Sequence, residues 1–165
     1  QIIREFVETN ARTVLKPIDG HGGKGIIFVE PGDAGLMDII QLITVSGSHW
    51  VIAQEYLGAA TEGDKRILLL NGQPLGAVLR LHAEGEELNN LDQGGTALAS
   101  EITDRDREIC STLKDDLCNA GVVFAGIDII GGMLMEINIT SPTGLQEMSR
   151  FDDCAYHEEI VDSLN

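Results

Sequence analysis

Gly126-Ile127-Asp128-Ile129-Ile130 and, beyond a glycine pair, Met135-Glu136-Ile137-Asn138-Ile139-Thr140-Ser141-Pro142 are the stretches on which the reading of this chain turns. Each is an apolar, β-branched run interrupted by a carboxylate or an amide. Such runs read as strands, and Gly131-Gly132 between them reads as a hairpin turn. A carboxylate inside an apolar strand is expensive to bury without a partner. Asp128, Glu136 and Asn138 offer oxygen donors, the set that suits Mg2+, with Mn2+ as the alternative ion. Glu136 and Asn138 stand two apart and share a strand face. A two-residue turn sets Asp128 opposite Met135, on the wrong face. A three-residue loop or a bulge sets it opposite Glu136.

Mg2+ commonly accompanies phosphate, which directs attention to Asp19-Gly20-His21-Gly22-Gly23-Lys24-Gly25. Gly20, Gly22 and Gly25 match G-x-G-x-x-G, but a dinucleotide fingerprint needs a helix after the loop. Here residues 26–29 read as a strand, and the phosphate loop GxxxxGK[ST] is absent. What remains is a tight turn or a glycine hairpin whose backbone N–H groups fold over phosphates. Lys16, on the strand just before it, favours the second. Together the two features suggest a nucleotide site.

The 165 residues suffice for an ordinary domain with a real core. An apolar content of 43% argues for a folded globule. The net charge of −16 disfavours nucleic acid and anionic membrane as partners. Local clusters such as Glu84, Glu86, Glu87 and Asp115, Asp116 read as solvated surface. Cys110, Cys118 and Cys154 are odd in number and lack CxxC spacing, which fits a reducing cytosol better than disulfides or zinc. Cys110 and Cys118 read as small apolar fillers of a helix. No run approaches the ~18–20 apolar residues of a membrane span. The first residues carry neither a signal peptide nor a start methionine, and the chain reads as cut from something longer. The scattered histidines have no ligand spacing.

Hydrophobic periodicity predicts a helix over 1–10 and another over 34–45, with strands over 13–16, 26–29 and 50–55. A turn at 62–64 opens a second half. Strands over 66–70 and 73–81 flank Asn71-Gly72, a strong hairpin signal. Residues 82–101 are polar, glycine-bearing and aperiodic, which reads as a mobile functional segment. A helix runs from Thr103 to about 120, with Asp106 in a capping-box arrangement. Strands over 122–130 and 134–139 and a closing helix over 152–164 complete the chain. Gln54-Glu55-Tyr56-Leu57 joins the halves, either as a plain linker or as backbone groups offered to a flat base. Arg66 and Arg80 lie on neighbouring strands, as surface pairs or as cations for phosphate and carboxylate.

Val14-Leu15-Lys16-Pro17, the glycine loop, Glu62-Gly63-Asp64-Lys65-Arg66, the stretch 126–131 and the stretch 135–143 occur in this order. With them the chain resembles the ATP-grasp portion of bacterial glutathione synthetases along nearly its whole length. The resemblance implies an α+β, ATP-grasp fold whose two α+β subdomains clasp ATP between them. Residues 1–58 would form the first and 59–165 the second, with a lid over 82–101. It implies a cytoplasmic, ATP- and Mg-dependent carboxylate–amine ligase acting through an acyl phosphate, with γ-glutamylcysteine and glycine as first substrates to test. By the same resemblance Lys16, Gly20, Gly22, Gly23 and Gly25 hold phosphates, Gln54, Glu55, Tyr56 and Leu57 contact adenine, and Asp64 meets the ribose. Asp128, Glu136 and Asn138 hold the metal, Asn138 also reaching the nucleotide. Arg66 and Arg80 are catalytic and face the substrate and transferred phosphate. Asn90, Gly94, Gly95, Ser141 and Thr143 complete the substrate contacts. The expected partners are small-molecule acid and amine substrates, with no nucleic acid and no membrane, and a homo-oligomer is an open option.

Two departures from the family pattern bear on substrate. The family carries arginines before its loop asparagine and after its paired glycines; here Leu88 and Thr96 hold those places. A less anionic or more weakly held substrate is expected. The family's N-terminal substrate domain, with its linker lysine, is not in this chain. A truncated or degenerate ATP-binding module without ligase activity is the alternative.

Overall fold

The computed structural model describes residues 1–20, 23–82 and 95–164. They form two compact units, Gln1–Gly58 and Ala59–Asn165. The first contains α1 (Ile2–Thr9), β1 (Thr13–Pro17), β2 (Ile27–Val29), α2 (Leu36–Ile43) and β3 (Val51–Glu55). Its antiparallel sheet has the order β2-β1-β3. Alternation along β1 sorts its side chains between two environments. Leu15, opposite Ile27 and Ala53, packs with Val7, Val29, Leu36 and Ile40 under the two helices. Burying each such aliphatic side chain contributes roughly 1.5–3 kcal/mol. Val14 and Lys16 point to the other face, beside Phe28, Gln54 and Ile52.

A short 3-10 turn, Gly58–Glu62, leads into β4 (Asp64–Leu70), β5 (Gln73–Leu81), β6 (Thr96–Ala99), α3 (Asp104–Asn119), β7 (Phe124–Ile130), β8 (Met133–Asn138), α4 (Leu145–Asp152) and α5 (Tyr156–Asp162). The sheet order is β6-β5-β4-β7-β8. Ile67, Leu69, Ala77, Ala125, Ile127 and Ile129 cover one face and pack on Ile109, Cys110 and Leu117 of α3. The other face is apolar only at one end, where Leu68 and Val78 meet Met148 of α4. Its remaining surface carries the polar residues of β4, β5 and β7.

The start of α3 ties the helix to this sheet. The Thr103 hydroxyl accepts from the Asp106 N–H at 3.2 Å, and the Asp106 carboxylate accepts from the Thr103 N–H at 2.9 Å. Lys65 Nζ donates to the same carboxylate at 2.7 Å and to the Glu101 carbonyl at 3.0 Å. Burial alone would raise the Asp106 carboxyl, but the Lys65 and Thr103 bonds outweigh it and hold it below its ordinary value.

Several expectations are corrected. Within the segment 82–101, Thr96–Ala99 is not a structureless loop but an edge strand paired with β5, Val78 opposite Ala99 and Leu81 opposite Thr96. Its composition has one β-branched residue, and pairing on the exposed edge of β5 supplies what propensity lacks. Residues 83–94 of that segment lie outside the described residues. The closing helix begins at Tyr156 rather than 152, and α4 precedes it, started by Gly144 without a side-chain cap. Cys110 is a core residue, whereas Cys118 is exposed, its thiol 3.5 Å from the Asn71 carbonyl.

Gly63, at φ +103°, leaves no room for a side chain: a Cβ there would lie 2.5 Å from the Arg80 carbonyl oxygen. Gly32 has φ +83° with nothing within 4 Å of its virtual Cβ. Gly63→Ala is therefore expected to cost about 2–4 kcal/mol, strain plus overpacking, and Gly32→Ala about 1–2 kcal/mol from the backbone alone. Urea unfolding of the two variants checks this; equal losses would mean that the contact at residue 63 relaxes freely.

Candidate functional site

The strand register gathers a set of charged residues on the open face of the second unit. Asp64 lies opposite Arg80, and Arg66 lies opposite Asp128. Residues opposite one another in an antiparallel sheet share a face, as do residues two apart. Asp64, Arg66, Arg80 and Asp128 are therefore neighbours, and all are 5–9% exposed. Arg66 grips Asp128 with one edge of its guanidinium: Nε donates to Oδ1, and Nη2 donates to Oδ2 at 2.8 Å. Its remaining nitrogen, Nη1, donates to the Thr143 carbonyl at 3.2 Å. Arg80 grips Asp64 in the same forked manner, Nε to Oδ1 at 2.9 Å and Nη2 to Oδ2. Arg80 Nη2 also lies 2.9 Å from Asp128 Oδ2.

The result is a buried chain, Asp64–Arg80–Asp128–Arg66, in which cation and anion alternate. Burial alone would raise the Asp128 carboxyl, but two guanidiniums hold it below the ordinary carboxylate value. Burial would lower Arg80, but Asp64 and Asp128 outweigh it and keep the group charged above its usual range. At Asp64 burial, helped by the nearby Asp128 charge, prevails over the Arg80 and Arg66 guanidiniums, and its carboxyl is pushed up. Asp64, expected to meet a ribose, has both of its carboxylate oxygens against Arg80.

The metal triad starts from the same face. Asp128 pairs with Glu136, and the register shifts between Asp128 and Ile129, so that Ile129 faces Leu134. The turn itself has two residues, Ile130 facing Met133, and a bulge at Met135 restores Asp128 and Glu136 to one face. Directly opposed residues of this kind have Cα atoms about 4.5–5.5 Å apart. Asn138, two residues on, faces Gly126. Glu136 is exposed. Asn138 Nδ2 is buried with no hydrogen-bond partner among the described residues. The nitrogen and oxygen of an amide exchange by a half-turn, so this unfilled position suits an oxygen donor aimed at a cation. The donor set fits a divalent hard ion, with the Asp128 oxygens now held by arginine.

The nucleotide residues fall on the first unit. Lys16 and Gln54 are on the face turned away from α1 and α2, one pleat apart: Val14 faces Gln54, and Lys16 faces Ile52. Gly25 has φ +77°, and a Cβ there would stand 3.0 Å from Pro17 Cγ. A glycine is thus required where the loop closes against the strand that carries Lys16. Gly20 is equally close, its virtual Cβ 3.1 Å from the Lys24 carbonyl, and Gly23 adopts φ +76°. Glu55 ends β3, with Tyr56 and Leu57 following it, both half-buried. Gly22, Leu88, Asn90 and Gly94 lie outside the described residues. Gly95 precedes β6, whose first residue is Thr96; Ser141 and Thr143 are exposed beside the Arg66 contact. Two residues escaped the sequence reading. Lys65 serves the reverse face of the sheet through Asp106. Arg12 shares the nucleotide face with Val14 and Lys16, and that alternation was its only signal.

Two α+β units, one with a lysine strand and glycine loop and the other with an acidic hairpin, define an ATP-grasp domain. Solved structures agree on the fold. This chain aligns with the D-cycloserine synthetase DcsG at a TM-score of 0.74 and 17% identity, covering 99% of this chain and 60% of that one. It aligns with the ATP-grasp ligase PsnB, complexed with minimal precursor, Mg and ADP, at 0.66 and 19%, covering 99% and 49%. The chain belongs to the prokaryotic glutathione synthetase ATP-grasp domain family, whose model matches residues 1–153. The glutathione synthetase of Thermosynechococcus vestitus is 48% identical over 161 residues, 98% of this chain and 51% of that protein. The chain spans about half the length of the curated relatives it matches.

Asp128→Asn leaves two buried guanidiniums short of a counter-charge and is expected to cost about 3–5 kcal/mol of stability. Because the folded Asp128 carboxyl lies below its unfolded value, its stabilisation is full above about pH 4 and lost as pH falls through the folded value. The variant should therefore lose less stability than the wild type on acidification below that point. Urea titrations at a series of pH values measure both effects; parallel pH curves would remove Asp128 from the acid response.

Proposed function

We propose that the protein carrying this chain is an ATP- and divalent-cation-dependent carboxylate–amine ligase of the glutathione synthetase type. The γ-phosphoryl group passes to the acid's carboxylate, the amine attacks the acyl phosphate, and ADP and phosphate leave. The observation that carries this reading is the shared sheet face of Asp128, Glu136, Arg66 and Arg80 in a chain of this family. Phosphoryl transfer depends on positioning and charge neutralisation more than on a covalent side chain, and this face offers little else.

In the proposed site Lys16 and the backbone N–H groups around Gly20, Gly23 and Gly25 hold phosphates, with Gly22 in the same loop. Gln54, Glu55, Tyr56 and Leu57 present main-chain groups to the adenine. Asp64 orients Arg80 as well as lying near the ribose. Asp128, Glu136 and Asn138 hold Mg2+, or Mn2+, whose charge offsets that of the phosphate oxygens. Arg66 and Arg80, whose forks are engaged by Asp128 and Asp64, set positive charge beside the acid's carboxylate and the transferred phosphoryl group. Their side chains are already fixed by Asp64, Asp128 and the Thr143 carbonyl, so little rotamer freedom is lost when they engage. Asn90, Gly94, Gly95, Ser141 and Thr143 would line the substrate. Three free cysteines fit a cytoplasmic setting, and among the described residues no helix is long and apolar enough to cross a membrane.

The substrate reading is γ-glutamylcysteine with glycine, held less tightly than the family pattern implies. Thr96, at the start of β6, is exposed and neutral, and Leu88 is neutral too. Each lost charge-assisted contact removes about 1.5–3 kcal/mol, roughly tenfold or more in binding. Steady-state kinetics of the intact protein should show weak use of γ-glutamylcysteine against a panel of acids and amines. Efficient, selective turnover would show the two substitutions to be neutral and leave the ligase reading standing. ATP binding without any substrate-dependent ADP release would support the alternative, a nucleotide-binding module without ligase activity.

Two substitutions test the site. Glu136→Gln should lower Mg-ATP-dependent turnover by about a hundredfold, and near-normal turnover would remove Glu136 from the metal role. Lys16→Met should weaken ATP by about tenfold or more while adenosine changes little. Calorimetry showing equal losses for both would assign Lys16 a structural role.

A further inference from the structure

Arg12 precedes β1 on the face that carries Val14 and Lys16. Its guanidinium carbon lies 4.7 Å from the centre of the Phe28 ring and 4.5 Å from that of Tyr56. The two rings meet edge to face, 5.8 Å apart and inclined at 82°. On its outer side Arg12 Nε is 3.6 Å from a Glu30 carboxylate oxygen. The main chain is joined at the same point: the Tyr56 N–H donates to the Arg12 carbonyl at 2.8 Å. That bond extends the ladder in which Thr13 faces Glu55 and Val14 faces Gln54.

Tyr56 is the first residue past β3, inside the segment that leads out of the first unit. It is fixed twice, by its backbone and by its ring. A guanidinium is planar and weakly hydrated, so it stacks on aromatic faces without a large desolvation cost. A passive linker has no need of such a clamp. Main-chain groups that recognise a flat ligand do, because a segment that must be ordered on binding forfeits affinity.

We propose that Arg12 is a positioning residue for nucleotide recognition: by clamping Tyr56 against Phe28 it presets the backbone of residues 54–57 for the base. This rests on the reading of that segment as the adenine contact. Arg12 touches neither base nor phosphate in this scheme and acts only through Tyr56. The phosphate half of the site, Lys16 and the glycine loop, stands outside its influence. The inference therefore separates two halves of one ligand.

The test is calorimetry on the intact protein with adenosine, ATP and inorganic tripolyphosphate as separate probes. Arg12→Met removes the cation and keeps much of the bulk. It is expected to weaken adenosine and ATP by about tenfold, a size set by cation–π contacts, and to leave tripolyphosphate within about twofold. Arg12→Lys, which keeps a cation over the rings, should fall between. Phe28→Leu, which removes one side of the clamp, should show the same split and serves if Arg12→Met does not fold. Unchanged adenosine affinity in both Arg12→Met and Phe28→Leu overturns the proposal. Equal losses for adenosine and tripolyphosphate overturn it as well, since they signify general loosening of the unit. A wild-type protein that binds tripolyphosphate but no adenosine defeats the underlying adenine reading instead, and this inference with it.

Discussion

Asp128 accepts from Arg66 and lies against Arg80, and Arg80 in turn holds Asp64. This alternating chain is the constraint around which the second unit is arranged. Four charged groups cannot be buried on a sheet face singly, since each would lose its hydration without return. Buried together in forked geometry they satisfy one another. The chain needs β4 between β5 and β7, in the register that sets Asp64 against Arg80 and Arg66 against Asp128. It also reaches past the sheet. The bond from Arg66 to the Thr143 carbonyl holds the segment that leads into α4, and α4 in turn supplies Met148 to the small core of Leu68 and Val78. An ionic cluster and an apolar cluster thus share one face, each closing off one end of it.

The reverse face shows why three charged residues can be consecutive. In Asp64-Lys65-Arg66 the pleat sends the first and third to the ionic chain and the second to Asp106 at the head of α3. The strand is therefore a common support for the candidate site and for the cap of the longest helix among the described elements. In the first unit the same two-residue alternation separates a helix-covered face, centred on Leu15, from a face holding Lys16, Gln54 and the Arg12 clamp.

Sequence made some of this legible and concealed the rest for identifiable reasons. β-Branched runs and the Asn71-Gly72 turn were enough to locate every strand of the two sheets except β6, because those signals are local. The placement of Asp128 relative to Glu136 was reducible to two alternatives but not to one. The difference is a bulge at Met135, a feature with no residue signature of its own. β6 was hidden because it depends on pairing with β5 and not on its own residues. The short helix α4 was hidden by its neighbours: Ser141-Pro142-Thr143 reads as a loop, and the glycine that starts α4 offers no side-chain cap. Lys65 and Arg12 went unread because their partners are remote. Lys65 meets a residue 41 positions away, and Arg12 meets two rings that only the sheet brings together.

The bulge beside Asp128 has a consequence for how this hairpin can change over time. It adds one residue to β8 between the pairs Ile129–Leu134 and Asp128–Glu136, so the spacing from Ile129 to Glu136 is counted, not merely filled. Losing or gaining one residue there would turn Glu136 and Asn138 to the opposite side of the sheet, toward α3. Met133 and Ile137, by contrast, are exposed along the outer strand, and a change of side chain there leaves the count of residues, and so the facing of Glu136 and Asn138, as it is. Length is thus what this segment must keep, together with the glycines of its turn, both at positive φ.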